Sequence, residues 1–116
     1  MKVTVITPTA DRPAAWPLAE RWMARQTVQP DQWIVADDGL LAAPLTMGQQ
    51  HIRRERKEEG GASLAMNLLA AIPHVTGSVV IVMEDDDRYA ADHIETCVKY
   101  LRSYRATGCR WLHYYN

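Results

Sequence analysis

The chain has 116 residues, 47% of them hydrophobic, so it can bury one core of ordinary size, and a single domain over residues 1–116 is expected. Thirteen lysines and arginines against fourteen aspartates and glutamates leave a formal net charge of -1, which excludes a global field that attracts nucleic acid or an anionic membrane. No apolar run approaches the roughly 20 residues that cross a bilayer, and neither a long apolar leader nor a dense cysteine pattern indicates secretion, so a cytoplasmic protein is expected.

The first half of the chain alternates between strand and helix patterns. "KVTVIT" (2–7) predicts a buried strand, which the two prolines of "PTADRP" (8–13) end. "AAWPLAERWMARQ" (14–26) has apolar residues at helical spacing, with its proline near the start, where a helix tolerates one. "QWIVADDG" (32–39) predicts a second buried strand, and the polar "HIRRERK" (51–57) predicts a short or edge strand.

The second half continues the alternation after a pair of glycines. "ASLAMNLLAAI" (62–72) predicts a helix, "GSVVIVM" (77–83) is the most hydrophobic strand, "RYAADHIETCVKYLRSYR" (88–105) predicts a third helix, and "CRWLHYY" (109–115) a closing strand. The apolar face of the 62–72 helix is expected to carry Leu64, Leu68, Ala71 and Ile72. This order predicts an α/β fold with a mostly parallel twisted sheet, right-handed crossovers and helices on both faces.

Charged residues follow three of the predicted strands. In open α/β sheets the ligand site lies beyond the carboxyl ends of the strands, near the point where strand order reverses, so these residues should share one rim. They are Asp11, Arg12, Asp37, Asp38, Glu84, Asp85, Asp86 and Asp87. So much like charge destabilises the rim unless a positive group joins it, and Mg²⁺ or Mn²⁺ is favoured because these ions prefer oxygen ligands.

Structural explanations compete with the metal hypothesis. Asp86 or Asp87 could cap a helix that begins near Tyr89, although one acid would suffice for a cap and four follow this strand. Asp37 and Asp38 before Gly39 are also typical of an Asx turn in which the glycine supplies a positive φ. The four successive acids favour the metal hypothesis, and the Asp37–Asp38 pair alone leaves both explanations open.

The ordered motifs resemble a known family. "VTVITPTADRP", "QWIVADDG", "GGASLAMNLLAAI" and "VVIVMEDDDRY" are similar to the nucleotide-binding half of GT-A glycosyltransferases of family 2, which carry P-T-Y-N-R-P, D-D-G-S, N-x-G-x-x-x-x-R-N and D-x-D elements in this order. The resemblance covers nearly the whole chain. It implies a Rossmann-like GT-A fold and transfer of a sugar from a nucleotide-diphosphate sugar to an acceptor, with a UDP-sugar the favoured donor and the acceptor unknown.

Residue roles follow from the resemblance where positions match. It implies that Asp38, with Asp37 beside it, contacts the base, and that Asp86 contacts the metal with Glu84 in the same D-x-D element. The residues that it assigns to nucleotide binding are Pro8, Thr9, Ala10, Arg12, Asp37, Asp38, Asn67 and Asp85. A cation at this element would stabilise the negative charge that develops on a diphosphate leaving group.

The chain departs from the family pattern at several positions. Ala10 replaces the usual aromatic of the first loop, Glu59 replaces an asparagine, and Met66 replaces the arginine of the R-N pair. Arg12, Arg53 and Arg54 are the candidates to supply the missing guanidinium.

Relatives also continue for about a hundred residues beyond D-x-D, where their acceptor site and general base lie. The chain is therefore expected to lack the acceptor-binding half: it is a fragment of a longer enzyme, a minimal domain that needs a partner, or a domain that binds the donor without transfer, and no catalytic base is assigned. Asp92 and Glu95 are predicted to face solvent.

Two alternatives stay open: a non-catalytic nucleotide-binding or assembly module, and a receiver-like phosphoacceptor domain. The hydrophobic closing strand predicts self-association through an exposed edge.

Overall fold

A four-stranded parallel sheet forms the centre of the molecule. The computed structural model describes residues 1–58 and 60–108 and the backbone of 113–114. The strands are β1 (Val3–Thr9), β2 (Gln32–Asp37), β3 (Gln50–Arg53) and β4 (Val79–Val82). Their spatial order is β3-β2-β1-β4, and every pair is parallel. β2 and β3 follow β1 on one side of it, whereas β4 pairs with β1 on its other side, so strand order reverses between β1 and β4.

Three helices cover the sheet from both sides. They are α1 (Trp16–Ala24), α2 (Ser63–Ala71) and α3 (His93–Leu101). Trp16 and Met23 of α1 and Ile94 of α3 pack with the odd-numbered residues of β1 on one face, whereas α2 packs against the opposite face of β1 and β2. The predicted α/β class, with a parallel sheet and helices on both faces, is confirmed. Among the helices described, none is long and apolar enough to span a membrane.

The core is divided by the sheet into two layers. The larger layer joins Val5, Val35 and Ile81 of the strands to α1 and α3, and the rings of Trp16 and Trp33 stack within it at a centroid distance of 5.9 Å. The smaller layer contains Ile6, Ile34, Ala36 and Ala71. Each fully buried aliphatic or aromatic side chain contributes roughly 1.5–3 kcal/mol, so these layers fix the strands that end at the rim.

The predicted apolar face of α2 is wrong in part. Leu64 and Ile72 are exposed, and the buried residues of the helix are Asn67 and Ala71, with Leu68 partly buried beside them. A polar residue belongs to the buried face because Asn67 finds partners there, and hydrophobic periodicity cannot detect that. The described residues also leave part of the sheet uncovered, since Val80 and Val82 on the α2 side of β4 are 46% and 43% exposed.

The segment after β4 differs from the predicted helix. Residues Asp87–Arg88 form a short strand, β5, that pairs antiparallel with β6 (His113–Tyr114), and α3 begins only at His93. Asp86 and Asp87 therefore lie too far from the helix to cap it, and the capping explanation is wrong. The predicted closing strand 109–115 is described only at 113–114, so the predicted self-association rests on residues that lie largely outside the described part.

The Gln26 side chain ties the end of α1 to the start of α3. Its Nε2 donates to the Ala90 carbonyl at 2.7 Å, and its Oε1 accepts from the Ile94 backbone N–H at 3.0 Å. The Thr27 backbone N–H donates to the Ala91 carbonyl at 2.7 Å. These bonds fix the segment that directly follows the acids at residues 84–87.

Candidate functional site

The ends of β1 and β4 are joined by direct side-chain contacts at the point where strand order reverses. The Thr9 hydroxyl donates to Asp85 Oδ2 at 2.6 Å, and Arg12 Nη1 donates to Asp85 Oδ1 at 2.8 Å. The same Arg12 nitrogen lies 3.2 Å from Asp86 Oδ2. Asp85 is buried in this arrangement, whereas half of the Arg12 side chain is exposed. Arg12 is thus a positive group that reaches the acidic rim from the first loop.

Most of the predicted site residues line one small cavity beside these contacts. The cavity has a volume of about 140 Å³, and Ser63 and Leu64 at the start of α2 complete its wall. The predicted residues in its lining are Pro8, Thr9, Ala10, Arg12, Asn67, Glu84, Asp85 and Asp86. The fold therefore brings the first loop, α2 and the acids after β4 to one place.

The acids after β4 are poorly compensated. One carboxylate oxygen each of Glu84, Asp86 and Asp87 lies within 4.8 Å of the others, and Asp87 Oδ1 is buried with no hydrogen-bond partner among the described residues. Burial, followed by the neighbouring negative charges, raises the pKa of Glu84 and of Asp87. Burial also raises the pKa of Asp85, and the bonds from Thr9 and Arg12 offset this only in part. Clustered oxygens with an unpaired buried acceptor suit a hard divalent cation.

Asp38 is surrounded by donors. Its Oδ2 accepts from Ser63 Oγ at 2.5 Å, Arg56 Nε at 2.9 Å and Arg54 Nη2 at 3.2 Å. Its Oδ1 accepts from Asn67 Nδ2 at 3.1 Å. Burial would raise the pKa of Asp38, but the hydrogen bonds from Arg56, Ser63 and Asn67 outweigh it and hold that pKa far below the usual range. The carboxylate has no exposed surface, so its first neighbours are the protein's own donors.

Asp37 organises the loop after β2. Its carboxylate accepts from the backbone N–H of Gly39 at 3.0 Å and of Ala43 at 2.9 Å, and it contacts His51 Nε2 and Arg53 Nη1, each at 2.8 Å. Burial raises the pKa of Asp37, whereas the bonds from Ala43, His51, Gly39 and Arg53 lower it by more. The side chain is fully buried and lies outside the 140 Å³ cavity. Its contacts are those of a structural residue, and the prediction that it binds nucleotide stays untested.

The glycine after the two aspartates is required for a reason other than the expected one. The Asp37–Gly39 bond is an Asx turn as predicted, but Gly39 does not have a positive φ. A Cβ at Gly39 would collide with the backbone nitrogen of Asp11. Asp11 itself has a φ of 53°, and its Oδ1 accepts from the Leu41 N–H at 2.9 Å. Gly39 therefore permits close approach of the loops that follow β1 and β2.

The comparison with protein families agrees with this geometry. The family model described as Glycosyl transferase family 2 matches residues 4–116. The chain belongs to glycosyltransferase family 2. No curated protein matches it. Membership decides against the receiver-like alternative and establishes a glycosyl-transfer family with the expected GT-A type of fold.

Several residues of this family 2 domain were not singled out by the sequence patterns. Ser63 and Arg56 contact Asp38, and Tyr89 places its hydroxyl between the Glu84 backbone N–H at 2.8 Å and Asp87 Oδ2 at 3.4 Å. The arginine-rich stretch after β3 was the available signal, because Arg54 was named there as a candidate guanidinium and does contact Asp38. No pattern indicated Ser63, because its contact with Asp38 joins residues that are 25 positions apart, and none indicated Tyr89, whose hydroxyl meets Glu84 and Asp87 only through the turn after β4.

Proposed function

We propose that this family 2 domain binds a nucleotide-diphosphate sugar through Mg²⁺ or Mn²⁺ at the crevice between β1 and β4, as the donor-binding half of a glycosyltransferase that transfers the sugar to an acceptor. The observation that carries the proposal is the single cavity lined by the first loop, Asn67 and the acids after β4. This cavity lies beyond the carboxyl ends of the strands where strand order reverses, which is where open α/β sheets bind ligands. A UDP-sugar is the first donor to test.

The acids after β4 fit the cation that the family implies. Asp86 and Glu84 would hold it, and Asp87 adds a third oxygen, because its Oδ1 is buried without a partner in the described part of the chain. When bound, a divalent cation would neutralise the negative charge that develops on the leaving diphosphate. Arg12 supports the same step from the other side, because its exposed guanidinium lies beside Asp85 and Asp86 and can donate to phosphate oxygens.

The remaining predicted residues have separable roles in this proposal. Pro8, Thr9 and Ala10 form the wall of the cavity at the end of β1, where the ribose and diphosphate would lie, and Thr9 fixes the Asp85 carboxylate by its hydroxyl. Asn67 closes the cavity from α2 and donates to Asp38. Asp38 is proposed to define the base end of the site by orienting the donors around it.

Calorimetric titration of UDP in the presence and absence of Mn²⁺ tests the binding step. Asp86→Asn should abolish the cation dependence of UDP binding and leave the fold intact, because a rim acid contributes repulsion and little packing. Asp92→Asn is the matched control, since it removes the same charge from an exposed residue outside the cavity. Equal Mn²⁺-dependent affinity in the wild type and Asp86→Asn would refute the metal assignment.

A turnover assay with UDP-, GDP- and TDP-sugars separates the enzyme from the non-catalytic alternative. Inverting transfer needs a carboxylate that takes the acceptor proton. Asp92 is exposed and Glu95 accepts a bond from Thr27 Oγ1 at 3.2 Å, and neither lines the cavity. We therefore expect the 116-residue chain to bind the donor and to hydrolyse it slowly, without transfer to an acceptor. Rapid sugar transfer would establish a base at the site, whereas binding without any turnover would favour the nucleotide-binding module.

A further inference from the structure

The indole of Trp22 carries a hydrogen-bond donor that the protein leaves unused. Its Nε1 is buried and has no hydrogen-bond partner among residues 1–58 and 60–108. The guanidinium groups of Arg25 and Arg88 lie over the indole ring, at 5.3 and 5.4 Å from its centroid, and these cation–π contacts hold the ring in place. Buried polar groups normally have a partner, so a fixed N–H without one calls for a bound water or ligand.

Trp22 lines a cavity on the α1 side of the acids after β4. This α1 cavity has a volume of about 240 Å³. Leu18 of α1 and Ala15 just before the helix form the apolar part of its lining, and Arg12 and the acids 85–87 form the charged part. Arg12 and two of these acids also line the nucleotide cavity. The two cavities therefore share a wall.

Asp87 gives the α1 cavity an acceptor that is also unused. The residue is 2% exposed, and its Oδ1 has no hydrogen-bond partner in the described part of the chain. Its Oδ2 accepts only a long bond, of 3.4 Å, from the Tyr89 hydroxyl. A carboxylate has about four lone-pair positions, so a cation bound to Asp87 leaves room for a bond from a ligand hydroxyl. A buried donor and a buried acceptor thus line one cavity.

These groups favour an uncharged ligand that carries hydroxyls. The Trp22 N–H only donates and the carboxylates only accept, so the ligand must offer both an acceptor and a donor, and a hydroxyl is both. Three acids and one arginine disfavour a phosphate or carboxylate ligand, and a divalent cation at the acids would cancel the excess charge that could attract an ammonium group. Leu18 and Ala15 suit the C–H groups of a ring. A sugar ring combines these properties.

We propose that the α1 cavity binds a saccharide ring, separately from the nucleotide, and that Trp22 Nε1–H donates to one of its oxygens. This goes beyond the proposed function, which assigns no site to an acceptor. A saccharide in the α1 cavity lies on the other side of the shared wall from the diphosphate of the proposed donor. The site gives the chain a place for part of an acceptor, although it supplies no base.

NMR of the indole N–H signals tests the proposal on the full chain in Mg²⁺ without nucleotide. The protein has four tryptophans, and Trp22→Phe identifies the Trp22 signal by its loss. At least one of methyl β-glucopyranoside, methyl β-galactopyranoside and methyl α-mannopyranoside should shift this signal to saturation. Tetrahydropyran-2-methanol, which has the ring without its hydroxyls, should leave it in place. Trp22→Phe keeps an aromatic ring and loses the donor, so backbone amide shifts should show about threefold to tenfold weaker glycoside binding.

Two further variants control for folding and for the loss of an indole. Trp33→Phe is the matched substitution, because the Trp33 N–H donates to Thr7 Oγ1 at 2.9 Å and Trp33 does not line the α1 cavity. It should leave glycoside affinity unchanged. Ala15→Tyr fills the cavity from an exposed position, so it should fold even if Trp22→Phe does not, and it should abolish binding.

Three results would contradict the proposal. They are a Trp22 signal that no glycoside shifts, which would leave a bound water as the partner of the N–H, equal glycoside affinity in Trp22→Phe and the wild type, and displacement of the glycoside by UDP-glucose, which would show that the site is not separate from the nucleotide. A wild type that binds a glycoside and does not bind UDP would refute the proposed function and support the saccharide site.

Discussion

Two groups of acids lie at the same edge of the sheet, and their electrostatic states are opposite. The pKa values of Asp37 and Asp38 after β2 are lowered, whereas those of Glu84, Asp85 and Asp87 after β4 are raised. Burial acts to raise the pKa in every one of these five carboxyls. The difference is that arginine, amide, hydroxyl and backbone donors outweigh burial in the first group and fail to do so in the second.

The two groups differ in how far the described residues compensate their charge. The first group has its charge neutralised by the protein, so it can hold loops and donors in place. The second group has Arg12 as its one ion-pair partner within the described residues, and that partner reaches only Asp85 and Asp86. Acids left in this condition are stabilised by an external cation.

The largest loss in the free energy of unfolding is expected from Asp37→Ala. The change removes the acceptor of two buried backbone N–H groups and breaks the contacts with His51 and Arg53, whose side chains are partly exposed. A buried donor left without an acceptor costs about 1–3 kcal/mol, and urea unfolding at neutral pH measures the sum for the two N–H groups. Glu55→Ala, at an exposed acid, should stay within about 0.5 kcal/mol of the wild type. If Asp37→Ala lowered the free energy of unfolding no more than Glu55→Ala, the contacts of Asp37 would not stabilise the fold, and the distinction between the compensated and the uncompensated acids would be wrong.

The next effect in size is stabilisation of the second group by a divalent cation. Mn²⁺ at about 100 times its dissociation constant should raise the free energy of unfolding by about 2.7 kcal/mol in the wild type. Glu84→Gln should lose most of this gain, because one of the three clustered carboxylates is neutralised. Ser63→Ala, which alters only the Asp38 group, should retain it. Equal gains in all three proteins would place the cation elsewhere.

A smaller effect concerns the dependence of stability on pH. The pKa of Asp87 is raised above its ordinary value of 3.8, so its ionised form destabilises the folded state above the folded pKa, and this penalty disappears below 3.8. Asp87→Asn should therefore be more stable than the wild type at pH 7 by about 1 kcal/mol or less, and the advantage should vanish near pH 3.

The first group should show the opposite pH slope. The pKa values of Asp37 and Asp38 are lowered, so their stabilisation is complete above the ordinary value of 3.8 and is lost as pH falls through the folded values. Urea midpoints from pH 7 to pH 2 for the wild type and Asp87→Asn measure both slopes. An advantage of Asp87→Asn that grows on acidification would contradict the assignment.

The smallest effect on stability is expected from Arg12→Gln, which should instead change the affinities for Mn²⁺ and UDP. A half-exposed ion pair contributes about 0–1 kcal/mol, so stability should change little. Without nucleotide, Mn²⁺ affinity should rise, because the guanidinium no longer competes for Asp85 and Asp86. UDP affinity in Mn²⁺ should fall, since a phosphate donor is lost. Isothermal titration measures both. A fall in Mn²⁺ affinity in the absence of nucleotide would show that Arg12 assists the cation.

The gathering of acids at one rim could be predicted because it depends on local features. Asp38, Asp85 and Asp86 follow hydrophobic strands directly, and parallel strands place their carboxyl ends at one edge. The face of α2 could not be predicted in the same way. Leu64 matches the apolar period and is exposed, whereas Asn67 is buried because Asp38 and Arg54 bond it from other elements.

The sequence by itself determined the order of the four sheet strands and three helices, the family and the position of each acid at a strand end, since hydrophobic periodicity and chain order carry that information, whereas it missed the short strand β5. Only the tertiary structure decided which acids are neutralised. The donors that settle this are distant in sequence: Arg56 lies 18 residues and Asn67 lies 29 residues from Asp38, and Thr9 lies 76 residues from Asp85. Charge compensation depends on distance in space, and the fold alone sets that distance.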